Sequence, residues 1–208
     1  MGSDTADTRA AYDTVAEDYL DLVRDAFGDA HPEQAVLAGF AERIGDGVVA
    51  DIGCGPGRLT GPLRQLGLDV VSLDLSPGMV AVARREHPDV PAAVGSVDAL
   101  PLAAGGLAGV LAWYSLINTP TDRLTAVFAE LRRVLADGGL LLTGFQVGDE
   151  VRHHRHLYGH DLVLDSYRRP PDVVAAAAVA AGFVEVERTI KTPTPPEDCD
   201  QAYLLYRR

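Results

Sequence analysis

The stretch Val48-Val49-Ala50-Asp51-Ile52-Gly53-Cys54-Gly55-Pro56-Gly57-Arg58 limits the possible folds of this chain more than any other. An apolar run ends in an acid, three glycines follow at alternate positions, and an apolar pattern resumes from Leu59 to Leu66. That order reads as buried strand, tight turn and helix start. Such a turn needs glycine because a side chain would forbid the backbone angles or keep the backbone away from a ligand at the helix N-terminus. The dinucleotide fingerprint G-x-G-x-x-G is not met, since its third glycine would fall on Arg58. A nicotinamide-dependent reductase is disfavoured for that reason.

Asp69-Val70-Val71-Ser72-Leu73-Asp74 is a second buried strand ending in an acid, 21 positions after Gly53 (74 − 53). In doubly wound α/β folds a carboxylate at that place takes ribose hydroxyls, because it can accept from two vicinal O–H groups. Ser76 then caps the next helix, with Pro77 at its first position.

Asp51-x-Gly53-x-Gly55-x-Gly57 resembles the first motif of class I S-adenosylmethionine-dependent methyltransferases of the small-molecule type. The resemblance implies S-adenosylmethionine as cofactor and S-adenosylhomocysteine as product. The turn would wrap the methionine half, Asp51 receiving its cationic amino group and backbone N–H groups with Arg58 receiving its carboxylate. Leu75 and Met79 would flank the adenine, Met79 serving alternatively as core. Gly95-Ser96-Val97-Asp98-Ala99-Leu100-Pro101 resembles the family's adenine-binding G-D-A-x-x-L-P turn, but Ser96 stands where the acid is usual. The Ser96 hydroxyl or Asp98 would then accept from the adenine amino group and the Val97 N–H would donate to a ring nitrogen. Tyr12-Asp13-Thr14-Val15-Ala16-Glu17-Asp18-Tyr19 resembles the Y-D-x-x-A-x-x-Y opening that folds over the cofactor; Tyr12 and Tyr19 cover the ligand or only anchor an amphipathic helix.

The remaining segments fit one domain over residues 1–208. Residues 1–45 form an N-terminal helical cap, with helices expected over Thr8 to Phe27 and Glu33 to Ile44. Pro77 to His87 reads as helix, Pro91 to Val94 as a third strand and Ala108 to Ser115 as a fourth. Trp113, Tyr114, Ser115 and Asn118 lie at that strand's C-terminal end, the edge where ligands sit in open parallel sheets. The resemblance sets Trp113 beside the cofactor's methyl group. Thr121 to Leu135 is amphipathic, Leu140 to Phe145 a fifth strand, Pro171 to Ala181 a helix, and Phe183 to Thr189 and Ala202 to Tyr206 the final strands, with Pro193 to Asp200 as the loop between them. The fold class expected is α/β: a Rossmann-like doubly wound seven-stranded sheet, its last strand antiparallel as the resemblance implies, with helices on both faces.

Residues 146–169 are the part least explained by this fold and are expected to form a substrate lid. They hold four of the six histidines. Methyl transfer needs the acceptor aligned about 3 Å from the methyl carbon and, for a protonated acceptor, a base. Histidine, with a usual pKa of about 6.5, suits that role, so His154, His156 and His160 are the candidate bases, with Tyr158 or Tyr114 orienting the acceptor. A solvated His/Arg face is the plainer alternative. The spacing of His154 and His156 also permits a metal, but no carboxylate partner stands out and none is assigned.

The net charge of −12, without a basic stripe, argues against a nucleic-acid substrate. The acidic, polar start and the lack of a long apolar run suggest neither signal peptide nor membrane span, so a cytoplasmic location is expected. Cys54 and Cys199 have no metal or redox spacing. An acceptor that is a small metabolite, methylated on oxygen, nitrogen or activated carbon, is expected. The oligomeric state is left open, a homodimer among the possibilities. A non-catalytic protein that binds the same cofactor as a sensor or partner subunit would keep Asp51, the glycines and Asp74, and is the alternative function.

Overall fold

A computed structural model describes residues 4–23, 33–195 and 197–208. Helices α1 (Thr5–Val23) and α2 (Glu33–Arg43) precede β1 (Val48–Ile52), α3 (Thr60–Gln65), β2 (Asp69–Asp74), α4 (Pro77–Glu86), β3 (Ala92–Val94) and β4 (Leu107–Trp113). A 3-10 turn at Thr121–Arg123 leads into α5 (Leu124–Val134), followed by β5 (Leu135–Gln146), β6 (Glu150–Leu157), β7 (His160–Arg168), α6 (Pro171–Ala180), β8 (Val184–Lys191) and β9 (Gln201–Arg207). Seven strands form one sheet in the order β3-β2-β1-β4-β5-β9-β8. β1 pairs in parallel with both β2 and β4, while β9 runs antiparallel to β5 and β8. The expected doubly wound sheet with an antiparallel last strand is therefore present. The order reverses between β1 and β4, and that reversal opens a crevice beyond their carboxyl ends.

Buried faces explain the layering. Leu124, Val127, Phe128, Leu131 and Val134 recur at helical spacing along α5 and are all buried. They join one core cluster with Val110, Leu141, Phe183 and Tyr206, while Leu37 and Phe40 of α2 join Val49, Leu63, Leu111 and Leu142 in another. Val15, Ala16 and Leu20 of α1 instead pack with Met79 and Val82 of α4, with Tyr12, Tyr19, Tyr158 and Leu162 beside them. α1 thus lies over the carboxyl end of β2 as a cover. It starts at Thr5, earlier than the apolar stripe indicated, and the expected extension over residues 24–27 lies outside the described residues.

Residues 146–169 differ most from expectation. They are not an irregular loop: β6 and β7 form a separate antiparallel hairpin joined at Tyr158-Gly159. Both turn residues have positive φ, 53° and 81°, as a two-residue hairpin of this twist demands. Glycine supplies the second angle without cost, but tyrosine is rarely found at the first, so Tyr158-Gly159 does not read as a hairpin turn. Leu164, Asp165 and Ser166 of β7 are buried in succession while β6 is mostly exposed.

Gly53, with φ 71°, follows β1. A Cβ built there would lie 2.2 Å from Cβ of Ser115. Gly53→Ala therefore meets both a left-handed backbone angle and a backbone-anchored neighbour, and we expect a stability loss of about 2–4 kcal/mol in urea unfolding. An unchanged midpoint would show that the ends of β1 and β4 do not approach each other so closely.

Candidate functional site

A cavity of about 350 Å³ opens at the reversal of strand order, walled by the glycine turn, the ends of β2 and β4, α1 and the hairpin tip. The turn is held by one carboxylate. Asp74 Oδ2 accepts the Gly55 N–H at 2.8 Å and Oδ1 accepts the Ser76 N–H at 2.8 Å. The free lone pairs of both oxygens remain for two further donors. Burial pushes the Asp74 carboxyl up, and these backbone N–H groups draw it back.

Asp51 is 2% exposed and its Oδ2 has no hydrogen-bond partner. Burial, reinforced by the Asp74 charge and opposed by Arg58, pushes its carboxyl up to about 7. A cation seated against it would supply the missing partner and favour the ionised form. Gly53, Gly55, Arg58, Leu75 and Met79 also line the cavity. Gly57 does not: its missing side chain leaves room for the ring of His87, whose Cδ2 would stand 2.7 Å from a Cβ there, so its role is packing behind the turn.

The far wall carries Ser96, Val97 and Asp98. Ser96 Oγ lies 3.2 Å from Asp98 Oδ2, and Asp98 pairs with Arg123 at 2.7 Å. Arg123 also donates to Thr5 Oγ1 at 3.3 Å, tying this wall to the start of α1. Above it, Tyr12 donates to Asn118 Oδ1 at 2.9 Å, and Asn118 Nδ2 donates to the Asp165 carbonyl at 2.7 Å. Tyr12, Tyr19 and Tyr158 form an edge-to-face row with centroids 6.5 and 5.2 Å apart, and burial pushes all three phenols up. A residue sequence reasoning missed is Asp13, whose Oδ1 accepts from Ser76 Oγ at 2.5 Å and from the Gly78 N–H at 2.8 Å and so locks α1 to the N-terminus of α4.

The structure does not bring the candidate bases together at the cavity. His154 Nε2 is 2.8 Å from Ser166 Oγ, His156 Nδ1 is 2.9 Å from Asp161 and His160 Nε2 is 2.7 Å from Asp18. Pairing across the hairpin directs these rings to neighbouring strand positions and to α1, whereas the intervening Tyr158 reaches the wall. Burial and the Arg152 charge hold His154 below the ordinary imidazole value. Tyr114 lines the cavity, but its hydroxyl is engaged elsewhere, 2.9 Å from Gln201 Oε1 and 3.1 Å from Glu33 Oε1 and the Tyr203 hydroxyl. Its φ of 56° turns the chain after β4, so that Ser115, Ile117, Asn118 and Thr119 join the wall with Trp113. Gln146, at the end of β5, completes that side. Ser115 and Asn118 are legible in the sequence at the strand end; Gln146 carries no signal beyond its position near a strand terminus.

Residues 49–139 match the model of a methyltransferase domain family. Demethylmenaquinone methyltransferase of Beutenbergia cavernae is 33% identical over 145 residues, covering 68% of this chain and 59% of that protein. Malonyl-[acyl-carrier protein] O-methyltransferase of Enterobacter lignolyticus is 33% identical over 130 residues, covering 57% and 51%. The chain thus spans little more than half the length of these curated relatives. The crystal structure of 1,6-didemethyltoxoflavin-N1-methyltransferase of Burkholderia thailandensis, with 1,6-didemethyltoxoflavin and S-adenosylhomocysteine bound, superposes with a TM-score of 0.74 at 22% identity, covering 98% of this chain and 88% of that one. A matching domain model, these relatives and a shared sheet order converge on one conclusion: residues 49–139 match a methyltransferase domain family, and the chain has the fold of solved S-adenosylmethionine-dependent methyltransferases.

Proposed function

We propose that the protein is an enzyme that transfers a methyl group from S-adenosylmethionine to an oxygen, nitrogen or activated carbon atom of a small-molecule metabolite. The observation that carries this reading is the unpartnered, buried Asp51 Oδ2 beside a glycine turn that Asp74 holds open. A cation and a vicinal diol are what those two carboxylates lack, and an aminoacyl nucleoside offers both. Bound there, the cofactor would supply a methyl carbon already activated by its sulfonium charge. The chain's own part is to seat the amino group on Asp51, the ribose on Asp74 and the carboxylate on the turn N–H groups and Arg58. The adenine falls to Leu75, Met79, Ser96, Val97 and Asp98. The row Tyr12, Tyr19 and Tyr158 excludes water above the site. Residues 1–45 and 146–169 act in this reading as cofactor cap and substrate lid. Among the described residues no helix is long and apolar enough to cross a membrane; a cytoplasmic location and the absence of a nucleic-acid partner are part of the proposal.

Calorimetric titration with S-adenosylhomocysteine, with NADH as control, tests the cofactor; acceptor-dependent accumulation of S-adenosylhomocysteine from S-adenosylmethionine tests the transfer. Binding without turnover across a broad metabolite panel would favour a sensor instead. Asp74→Ala, which frees the turn from both backbone tethers, is expected to weaken S-adenosylhomocysteine binding by about 30-fold or more while the circular dichroism spectrum is retained.

The Asp51 shift adds a pH dependence with a definite sign. A carboxyl raised by folding favours the folded state while protonated, and that contribution is lost as the pH climbs from the ordinary carboxylate range through about 7. A bound ammonium reverses the preference, so ligand binding releases a proton below that pH. S-adenosylhomocysteine affinity should rise about tenfold between pH 6 and 8, the ratio of the ionised fractions of a group titrating near 7, and Asp51→Asn should flatten the profile. A wild-type profile that is already flat would remove Asp51 from the amino-group site.

A further inference from the structure

At the edge of the sheet away from the cavity, α6 and β8 leave apolar surface uncovered. Along α6 the one charged side chain is Asp172. Val174, Ala175 and Ala178 face the core, yet Val173, Ala176 and Val179 on the outer side are apolar too, and Val179 is 55% exposed. A helix apolar on every side belongs in an interior rather than against water. β8 continues the pattern. Val184, Val186 and Ile190 are exposed, Val184 to 66%, and with Val173 and Val179 they make up half of the large apolar side chains exposed among the described residues. β8 ends the sheet order and, among the described residues, pairs only with β9, so the backbone N–H and C=O groups along its outer side meet no strand. Its pairing with β9 shifts register between Glu185 and Glu187, a bulge that twists the strand without interrupting it.

Charge selects the occupant of this edge. The chain carries −12 overall, so two copies repel wherever acid is exposed. On this face the charges are already matched within the chain: Arg188 pairs with Asp172 at 2.5 Å and with Glu185 at 2.8 Å, Glu187 with Arg43 at 2.6 Å, and Lys191 with Glu197. The order of charges along β8 is also self-complementary. Laid antiparallel on a second β8 over its whole length, with Val184 opposite Lys191, the strand sets Glu187 of each copy opposite Arg188 of the other and Val186 opposite Thr189. No like charges then stand opposite each other, as stable cross-strand pairs require. A slip of one residue either way would set Arg188 against Arg188 or Glu187 against Glu187. A partner strand of a single charge sign would meet a like charge in every register that covers both residues.

We propose that α6 and the outer edge of β8 form the interface of a homodimer. The two β8 strands pair antiparallel about a two-fold axis between Glu187 and Arg188, joining two seven-stranded sheets into one, and the outer faces of the two α6 helices lie on the same side of the joined sheet. The same surface serves both copies, so the contact closes on itself and does not propagate. The cavity lies beyond the ends of β1 and β4, with β5 and β9 between β4 and β8, so both cavities stay open and the contact does not depend on the methyltransferase reading.

Analytical ultracentrifugation of the full chain between about 1 and 200 µM tests the contact. The mean mass should rise from that of one chain toward that of two and stop there. Ile190→Lys and Val179→Asp, at exposed positions outside the core, should each raise the dimer dissociation constant about tenfold or more with the circular dichroism spectrum unchanged. Val186→Cys/Thr189→Cys sets thiols opposite each other across the axis and should give a covalent dimer on mild oxidation, whereas Val186→Cys alone should not. A mass that stays at one chain up to the highest concentration would overturn the interface and leave the face to a different partner. A dimer that neither charged substitution weakens, or one in which the paired thiols do not join, would overturn it as well.

Discussion

One carboxylate joins the parts of this molecule that a ligand must meet at once. Asp74 ends β2, yet its two oxygens hold the Gly55 N–H of the turn after β1 and the Ser76 N–H that opens α4. Two adjacent strand ends and a helix N-terminus are thereby fixed around a single charge. Charge-assisted bonds of this kind are stronger than neutral ones, and burial at 8% exposure shields them from water. The cost is a negative charge in a poorly solvated place, beside a second acid at Asp51. Neither is fully compensated by the protein, and that imbalance is what makes the crevice receptive to a ligand carrying a cation and hydroxyl donors.

The cover over this crevice is built from distant segments that depend on one another. α1 is fastened to α4 by Asp13, to the chain after β4 by Tyr12 and Asn118, and to the hairpin by Tyr19 against Tyr158 and Asp18 against His160. The hairpin is fastened in turn beneath, where the Tyr167 N–H donates to the Ile117 carbonyl at 2.8 Å. Many of these links are exposed or half-buried polar contacts, each worth little on its own. Their value lies in register: they hold three aromatic rings over the cavity while the sheet below supplies stability. The strained backbone at Tyr114 belongs to the same arrangement. A positive φ at a bulky residue costs on the order of 1–2 kcal/mol, and here the hydroxyl contacts to Gln201, Glu33 and Tyr203 and the stacking of Trp113 on Tyr203 offset it.

The scaffold was readable because its signals are local. An apolar run closed by an acid, glycines at alternate positions and a second acid 21 residues on each follow from short-range geometry. Most strand bounds moved by a residue or two, as where β4 covers Leu107–Trp113 instead of Ala108 to Ser115, and β5 begins at Leu135, five residues before the expected Leu140, without altering the sheet order. The histidine-rich segment misled for the opposite reason. Its residue types suggested proton transfer, but whether a histidine reaches a ligand depends on which strand face it occupies, and that face is set by a turn with tyrosine in a left-handed conformation. Gly57 shows the same limit, since the pattern that marks it as part of the turn does not reveal that His87 lies behind it.

By itself the sequence determined the α/β class, the glycine turn and the acids Asp51 and Asp74, because each rests on contacts between residues close in the chain or on a fixed spacing. Only the tertiary structure decided which side chains face the cavity. It turned β6 and β7 into a hairpin, moved His154, His156 and His160 onto neighbouring partners and left Asp51 Oδ2, Trp113 Nε1 and Ser115 Oγ buried without them. The physical reason is that hydrogen bonding and burial are satisfied over the whole fold. A polar atom becomes available to a ligand only when no other segment has taken it, and such a segment can be remote in the chain, as Asp18 is from His160, 142 positions away.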